Sequence, residues 1–378
     1  MLNKIDHKII DKIFTQSNEC YDLDVIVTSN EYVKTKEYLQ KKSHKFLELP
    51  FISSFALKAS IKEIYGIANQ NFVHFISAVA KVNSLIYDSK KFMGVDDLYS
   101  KVNNNIKQSC VIIDTGLYPH IDFCLGKNRI IKFIDLINNK TDPYDDNGHG
   151  TFVTGVLTGN GIVDKYTGID NNADIIVIKA LDNDGETTSI KILQAMQWIL
   201  ENKQKFNIKV VCMSFGSVFN DARDPLMKGA EVLWDNGISV ICAGGNNGPE
   251  EKTIMSPGSS KKVITVGSLD NIRSGIISVA DFSSRGPVFN YYKPDLVVPG
   301  VDIISTARFN NSKKFYTTMS GTSVSTPMVA GVVSLLYKIN PRYTPDQIKY
   351  ILLRSCIQIT GDKNSEGFGW LNLRNIIL

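Results

Sequence analysis

The sequence predicts an α/β protein: a three-layer parallel sheet with helices on both faces, preceded by a small α/β sandwich of the ferredoxin-like kind. Three observations carry this reading. Residues 1–95 hold two of the 27 glycines (Gly66, Gly94) and one of the 12 prolines (Pro50), so a part with few turns precedes a part rich in them. Within the first part the hydrophobic pattern runs β-α-β-α-β, which suits a split β-α-β sandwich. Beyond it, short β-branched runs apolar on both faces alternate with helical stretches, as buried parallel strands and their crossovers do.

The elements follow in order. Asp24 to Ser29 (DVIVTS) alternates as a strand, and Glu31 to Lys42 has helical spacing through Tyr32, Val33, Tyr38 and Leu39. Phe46 to Phe55 reads as one strand. Ser60 to Ala68 reads as a helix, because Ser60 can cap it and Glu63 stands three residues on, forming a capping box. Phe72 to Val82 reads as the last strand. The polar stretch 88–107 marks a boundary, giving domains 1–95 and 96–378. In the second part the expected strands are Cys110–Asp114, Asp174–Leu181, Val210–Ser214, Ser239–Ala243 and Val263–Gly267. The expected helices are Thr151–Leu157, Ser189–Asn202, Ala222–Asn236, Ser323–Ile339 and Thr344–Ser355. Such a sheet binds its ligand at the carboxyl ends of its strands.

Composition excludes several classes. With 43% hydrophobic and 21% charged residues, the 378-residue chain has enough apolar surface for a full core. Lys and Arg (42) barely exceed Asp and Glu (38), so no broad cationic footprint points to nucleic acid or a membrane surface. No apolar run approaches the ~20 residues of a bilayer span. The amphipathic start, MLNKIDHKIIDKIFTQSNEC, has no uninterrupted apolar stretch of the secretory kind, so a cytoplasmic location is expected, with release from the cell left open. The six cysteines are too widely spaced for a CxxC pair, and Cys110, Cys212 and Cys242, inside apolar strand-like runs, read as buried free thiols. There is no GxxxxGK[ST] and no HExxH, and Gly159-Asn160-Gly161 lacks the third glycine of a dinucleotide fingerprint.

Histidine narrows the search. A general base near neutral pH is most often histidine. Of His7, His44, His74, His120 and His149, only His149 has a distinctive setting, between Gly148 and Gly150 and just ahead of a helical run. Read alone, it is equally a surface-turn histidine. Asp114 ends a buried strand, where a carboxylate must be paired, though it also suits a turn start. Ser323 lies at the start of a helical run, where free N–H groups can hold a developing oxyanion, though a plain N-cap serine sits there too. Together the three form the order Asp…His…Ser. No histidine follows Ser323, which excludes the order Ser…Asp…His.

At this point the sequence resembles the subtilisin-like serine proteases, over about residues 105–378. The blocks are Val111-Ile-Ile-Asp-Thr-Gly116, Asn147-Gly-His-Gly-Thr151 and Ser320-Gly-Thr-Ser-Val-Ser-Thr-Pro327, supported by Cys242-Ala-Gly-Gly-Asn246-Asn-Gly-Pro249. The resemblance implies a subtilisin-like fold and a serine endopeptidase with Asp114, His149 and Ser323 as triad and Asn246 with the Ser323 N–H as oxyanion hole. It implies that Ser214-Phe215-Gly216 and Asp184-Gly185-Glu186 pair with an extended protein or peptide substrate. The same resemblance implies that Ala243, Gly244 and the stretch Thr253-Ile-Met255-Ser-Pro257 border the S1 pocket, which Met255 would shorten. Val324, Met328 and Phe152 depart from common family residues, and none removes a proton-transfer group. No cofactor is implied for catalysis. Asp122 resembles one calcium ligand of secreted members, but its partner set is missing and the segment Leu157 to Ile169 is short, so structural Ca2+ is doubtful. The N-terminal domain resembles the family's propeptides in element order and position. It would make the chain a self-processing zymogen, cut between about Leu85 and Asp97. The alternatives are a permanent accessory domain, a protease-dead or propeptide-locked regulator on the same fold, and a hydrolase of another ester or amide.

Overall fold

A computed structural model of the chain describes residues 2–6, 9–10, 22–78, 85–163, 166–218, 221–270, 272, 276–308 and 314–377. The chain forms two compact units, Met1–Val82 and Asn83–Leu378.

The first unit contains β1 (Asp22–Ser29), α1 (Tyr32–Lys41), β2 (Phe46–Leu49), β3 (Ser54–Ser60), α2 (Ile61–Ala68) and β4 (Val73–Ala78). Its antiparallel sheet has the order β2-β3-β1-β4. Val25, Val27, Phe55, Ile64, Ile67 and Ile76 fill its core. The capping box forms: Ser60 N–H donates to Glu63 Oε2 at 2.8 Å, and Glu63 N–H to Ser60 Oγ at 3.4 Å. One expectation is corrected. Phe46 to Phe55 is not one strand, because a 3-10 turn at Pro50–Ile52 and a left-handed Ser53 (φ 49°) reverse the chain. The result is a hairpin pairing Leu49 with Ser54, and the order becomes β-α-β-β-α-β. The expected end of the last strand, residues 79–82, lies outside the described residues.

The second unit opens with α3 (Leu85–Met93) and α4 (Asp96–Tyr99). Met93, Val95 and Leu98 belong to its core, and Lys90 Nζ donates to Thr167 Oγ1 (2.9 Å) and the Gly168 carbonyl (3.1 Å). The division therefore falls earlier than the boundary drawn after residue 95. The stretch expected to be cut is largely helical, which is not the extended form a protease takes.

The sheet follows: β5 (Ser109–Asp114), α5 (Ile121–Cys124), β6 (Ile130–Asp135), α6 (His149–Thr158), β7 (Asp174–Lys179), α7 (Ser189–Asn202), β8 (Ile208–Met213), α8 (Pro225–Asp235), β9 (Ser239–Ala243) and β10 (Ile264–Asp270). After them come β11 (Ser278–Val279), β12 (Leu296–Pro299), β13 (Ile303–Thr306), β14 (Tyr316–Met319), α9 (Thr322–Ile339), α10 (Pro345–Arg354), β15 (Cys356–Ile357), α11 (Lys363–Glu366) and β16 (Trp370–Leu371). The strand order is β15-β16-β12-β10-β9-β8-β5-β7-β6, parallel from β16 to β6, with helices on both faces. From β5 the chain goes out to β6, returns through β7, then crosses β5 to build β8, β9 and β10. That reversal opens a crevice at the carboxyl end of β5.

The helix α9 packs on β8, β9, β10 and α6. It is long and apolar enough to cross a membrane by length and composition, but 89% of that window is buried inside the fold. Cys110, Cys212 and Cys242 are buried free thiols, and burial pushes the Cys110 and Cys242 thiols up to about 12; Cys20 lies outside the described residues.

Near its end α9 is pinned by a buried ion pair. Lys338 Nζ lies 2.6 Å from Asp170 Oδ1, both side chains 2% exposed, and Ser334 Oγ donates to Asp170 Oδ2 at 2.6 Å. Removing one partner of a buried pair strands the other charge, at about 3–5 kcal/mol. Lys338→Met is expected to lower unfolding free energy by that amount in urea titrations on a Ser323→Ala background. A loss under 1 kcal/mol contradicts this account.

Candidate active site

Asp114 ends β5 and is fully buried. Its Oδ1 accepts the Thr115 N–H at 2.7 Å and lies 2.8 Å from His149 Nδ1. A carboxylate only accepts, so Nδ1 carries the proton and Nε2 is left as the basic nitrogen. His149 is the first residue of α6 and keeps 26% of its side chain exposed. Burial by itself would lower its pKa. The Asp114 charge and hydrogen bond, with Asp145 behind them, outweigh that and hold it above the ordinary 6.5.

The loop carrying His149 is built around a second buried carboxylate. Asp145 Oδ1 accepts from Thr115 Oγ1 (3.0 Å), Asn147 N–H (3.1 Å) and Gly148 N–H (2.8 Å). Its Oδ2 accepts from the N–H (2.9 Å) and hydroxyl (2.6 Å) of Thr151, capping the first turn of α6. Gly150 N–H donates to Thr115 Oγ1 at 2.9 Å. A Cβ on Gly150 would lie 2.2 Å from the Gly116 carbonyl oxygen, so only glycine lets α6 start against the end of β5.

A buried cation completes the frame. Lys179 ends β7, in register with Asp114. Its Nζ donates to the carbonyls of Thr115 (2.6 Å) and Leu181 (2.9 Å) and to Asp146 Oδ1 (2.6 Å). It thereby ties together the end of β5, the segment leading to residues 182–186 and the His149 loop.

Ser323 is the second residue of α9, after Gly321 as N-cap, so its N–H belongs to the first turn, whose donors have no intrahelical acceptor. Asn246, on the loop after β9, is exposed. Its Oδ1 accepts from the N–H (2.9 Å) and hydroxyl (3.0 Å) of Thr322, which leaves Nδ2 as the presented end. A Cβ built on Gly321 would stand 3.2 Å from both Asn246 Nδ2 and Ser323 Oγ, so the two groups flank one small volume.

The expected substrate-contacting residues lie around this centre. Ser214, Phe215 and Gly216 follow β8, with Ser217 paired to Ser256. Ala243 ends β9, Gly244 follows it, and the Gly244 carbonyl accepts the Met255 N–H at 2.9 Å. Met255 packs against two glycines: a Cβ on Gly216 would lie 2.6 Å from Met255 Cβ, and one on Gly245 2.6 Å from Met255 Cγ. Asp184 and Gly185 form a tight turn in which Asp182 Oδ1 accepts the N–H groups of Asp184 (3.0 Å) and Glu186 (2.9 Å). Asn147 Nδ2, donating to the Asn183 carbonyl at 3.0 Å, ties that turn to the His149 loop. Phe152, Val324 and Met328 are buried core residues.

Asp122 does not fit a calcium ligand. Its Oδ1 accepts from Tyr316 Oη (3.0 Å) and the Ile162 N–H (3.1 Å), and its Oδ2 from the Gly161 N–H (2.9 Å). Its own carbonyl accepts from Arg129 Nη2 at 2.7 Å. Among the described residues no group of three or more His, Cys, Asp or Glu side chains could hold a metal.

The sequence reading missed Asp145, Thr115, Lys179 and Thr322. Lys179 left one signal, a lysine closing the apolar run Ile175–Ile178 of the strand DIIVIK. The others are ordinary polar residues whose role exists only in contact.

The fold and site define a class: a parallel α/β sheet presenting an Asp–His pair and a helix-terminal serine at the carboxyl ends of its strands. The subtilase family model matches residues 107–370, and the chain belongs to that family. It is 39% identical to Serine protease AprX of Bacillus subtilis (strain 168) over 70% of this chain and 65% of that protein. It is 33% identical to the Thermophilic serine proteinase of Bacillus sp. (strain AK1), over 68% of this chain and 57% of that one. The chain thus spans less than two thirds of these curated relatives. Among solved structures, S41 Psychrophilic Protease aligns at TM-score 0.63 and 27% identity, covering 74% of this chain and 97% of that one. Sphericase aligns at TM-score 0.59 and 25% identity, covering 74% and 97%.

The raised His149 pKa has a definite sign. Below its midpoint the imidazole is charged and cannot accept a proton, and the carboxylate is what moves that midpoint upward. NMR titration is expected to give His149 a midpoint above 6.5, and Asp114→Asn to lower it, since burial then acts unopposed. An unchanged midpoint in Asp114→Asn contradicts this assignment of cause.

Proposed function

We propose that the chain is a serine endopeptidase that cuts proteins or peptides through an acyl-enzyme and is made as a self-processing zymogen. Two observations support this reading: the Asp114–His149 hydrogen bond at the end of β5, and the Ser323 hydroxyl and Asn246 amide flanking one small volume at the start of α9. Ser323 Oγ attacks the scissile carbonyl while His149 Nε2 takes its proton. Asn246 Nδ2 and the Ser323 N–H donate to the oxyanion as the carbonyl becomes tetrahedral. His149 then gives the proton to the leaving amine, and the acyl group stays on Ser323. Water, deprotonated by the same nitrogen, attacks the acyl carbon; the bond to Ser323 Oγ breaks, Oγ takes the proton back from His149, and the acid leaves. Asp114 keeps Nδ1 protonated and stabilises the imidazolium between these steps.

Ser214–Gly216 and Asp184–Gly185 would hold an extended acyl segment by main-chain pairing, which tolerates many sequences. Met255, lying against Gly216 and Gly245, fills the space a large P1 side chain needs. The first unit, with its ferredoxin-like sheet, would serve as the propeptide and leave by self-cleavage.

Two measurements test this. Purified wild type is expected to lose an N-terminal piece of about the size of Met1–Val82 and gain one adduct from an active-site serine phosphonate, while Ser323→Ala does neither. Asn246→Ala is expected to reduce kcat by about 10²–10³, the size general to side-chain oxyanion donors in this family, with little change in KM. Wild type that stays full length and unlabelled refutes the proposal. In a P1 library, wild type is expected to favour small over aromatic residues and Met255→Gly to admit the aromatic ones. Strong wild-type cleavage after Phe or Tyr refutes the role given to Met255.

A further inference from the structure

Beside the His149 loop the second unit has a cavity of about 210 Å³. Asn147 and Gly148 line it from that loop, Arg308 from the chain after β13, and Lys314 and Met319 from the start and end of the β14 segment. None of Ser214–Gly216, Ala243–Gly245 or Met255 reaches it. Pockets that take a whole small molecule run to roughly 300–1,000 Å³, so this one has the size for a single side chain.

Its charge is one-sided. Arg308 and Lys314 are both cationic, and among the described residues no acidic side chain lines the cavity. Asp146, on the same loop, has its carboxylate engaged by Lys179 Nζ at 2.6 Å, so it does not neutralise Arg308. Arg308 is held in place. Its Nη1 donates to the Asp146 carbonyl, and its Cγ and Cδ lie 3.5 Å from where a Gly148 Cβ would be. Gly148 has φ 112°, so no side chain is expected there to displace that stem. A planar guanidinium with five donors, fixed at one end, suits a carboxylate.

Position decides which part of a substrate meets it. In the endopeptidase reading, on which this rests, the acyl segment lies between Ser214–Gly216 and Asp184–Gly185, and the Asp184–Gly185 turn does not line the cavity either. His149 hands its proton to the leaving amine, so the leaving chain passes the His149 loop, where Asn147 and Gly148 stand. Met319 borders the same path from the strand that leads into Ser323. We infer that this cavity receives an acidic side chain of the substrate on the leaving-group side of the scissile bond.

The test uses internally quenched peptides with Ala at P1, identical except for Glu or Gln at one of the first three positions after the scissile bond. The readout is the ratio of kcat/KM, Glu over Gln, within each enzyme, which cancels any general loss of activity. Wild type is expected to favour Glu by about fivefold at one position at low salt, the size of a partly exposed ion pair, and less at high salt. R308Q and K314E are each expected to reduce the ratio, and the double variant to bring it to one or below. Lys314 is exposed, so K314E serves where R308Q disturbs the loop. A wild-type ratio of one at all three positions, or a preference that survives the double variant, overturns this inference alone. Failure to cut either peptide, together with no phosphonate labelling, overturns the endopeptidase reading and this inference with it.

Discussion

A carboxylate buried at the carboxyl end of the central strand has to be satisfied, and much of the second unit is arranged around that requirement. Asp114 is fully buried, and an ionised group there is costly unless hydrogen-bonded and paired. The backbone supplies one donor, Thr115 N–H, and the imidazole of His149 another, both to Oδ1, while the buried Oδ2 has no hydrogen-bond partner among the described residues. His149 can do so only if α6 begins at the right height and angle beside β5. Asp145 sets that start by accepting from Thr115, Asn147, Gly148 and Thr151 at once. Gly150 allows the two backbones to meet. One electrostatic demand in the core thus fixes where the partly exposed His149 imidazole stands.

The same logic recurs with internal cations. Arg129 gathers the carbonyls of Asp122, Thr158 and Ala173, while the Asp122 carboxylate collects the N–H groups of Gly161 and Ile162. Together they hold the turn after α6 with protein charges, the task a bound cation performs when carbonyls and carboxylates face one another. Lys179 binds the segments around the Asp–His pair, and Lys338 with Asp170 pins the far end of α9. Lys293, held by Asp295 and the Val263 carbonyl, plays a similar part between β10 and β12, and burial lowers its pKa to about 7.

Much of the fold was legible because it rests on local pattern. Ser109–Asp114, Asp174–Lys179, Ile208–Met213 and Ser239–Ala243 are apolar on both faces, which only a covered parallel strand can be. The helix from Thr322 to Ile339 declared itself by apolar length. Elements without a strong local signal were missed. Ile130–Asp135 is an edge strand with an exposed face, Ile303–Thr306 and Tyr316–Met319 form a short hairpin, and Pro50 split what read as a single strand. Asp122 shows the limit of residue identity. A carboxylate in a calcium-ligand position accepts from N–H and O–H donors here, and only their coordinates reveal that.

What the sequence by itself determined is the family and its sheet: the order of Asp114, His149 and Ser323, the glycines beside them and the alternation that makes a parallel sheet. Each is a property of residue type and spacing, carried by the covalent chain. What only the tertiary structure decided is the electrostatic setting of those residues. Asp145, Lys179 and Thr322 act through hydrogen bonds between segments distant in sequence. Met255 lies against Gly216 and Gly245, and Arg308 against Gly148, contacts that join segments distant in sequence. Hydrogen bonding and packing fall off within a few ångströms, so they depend on which segments the fold brings together.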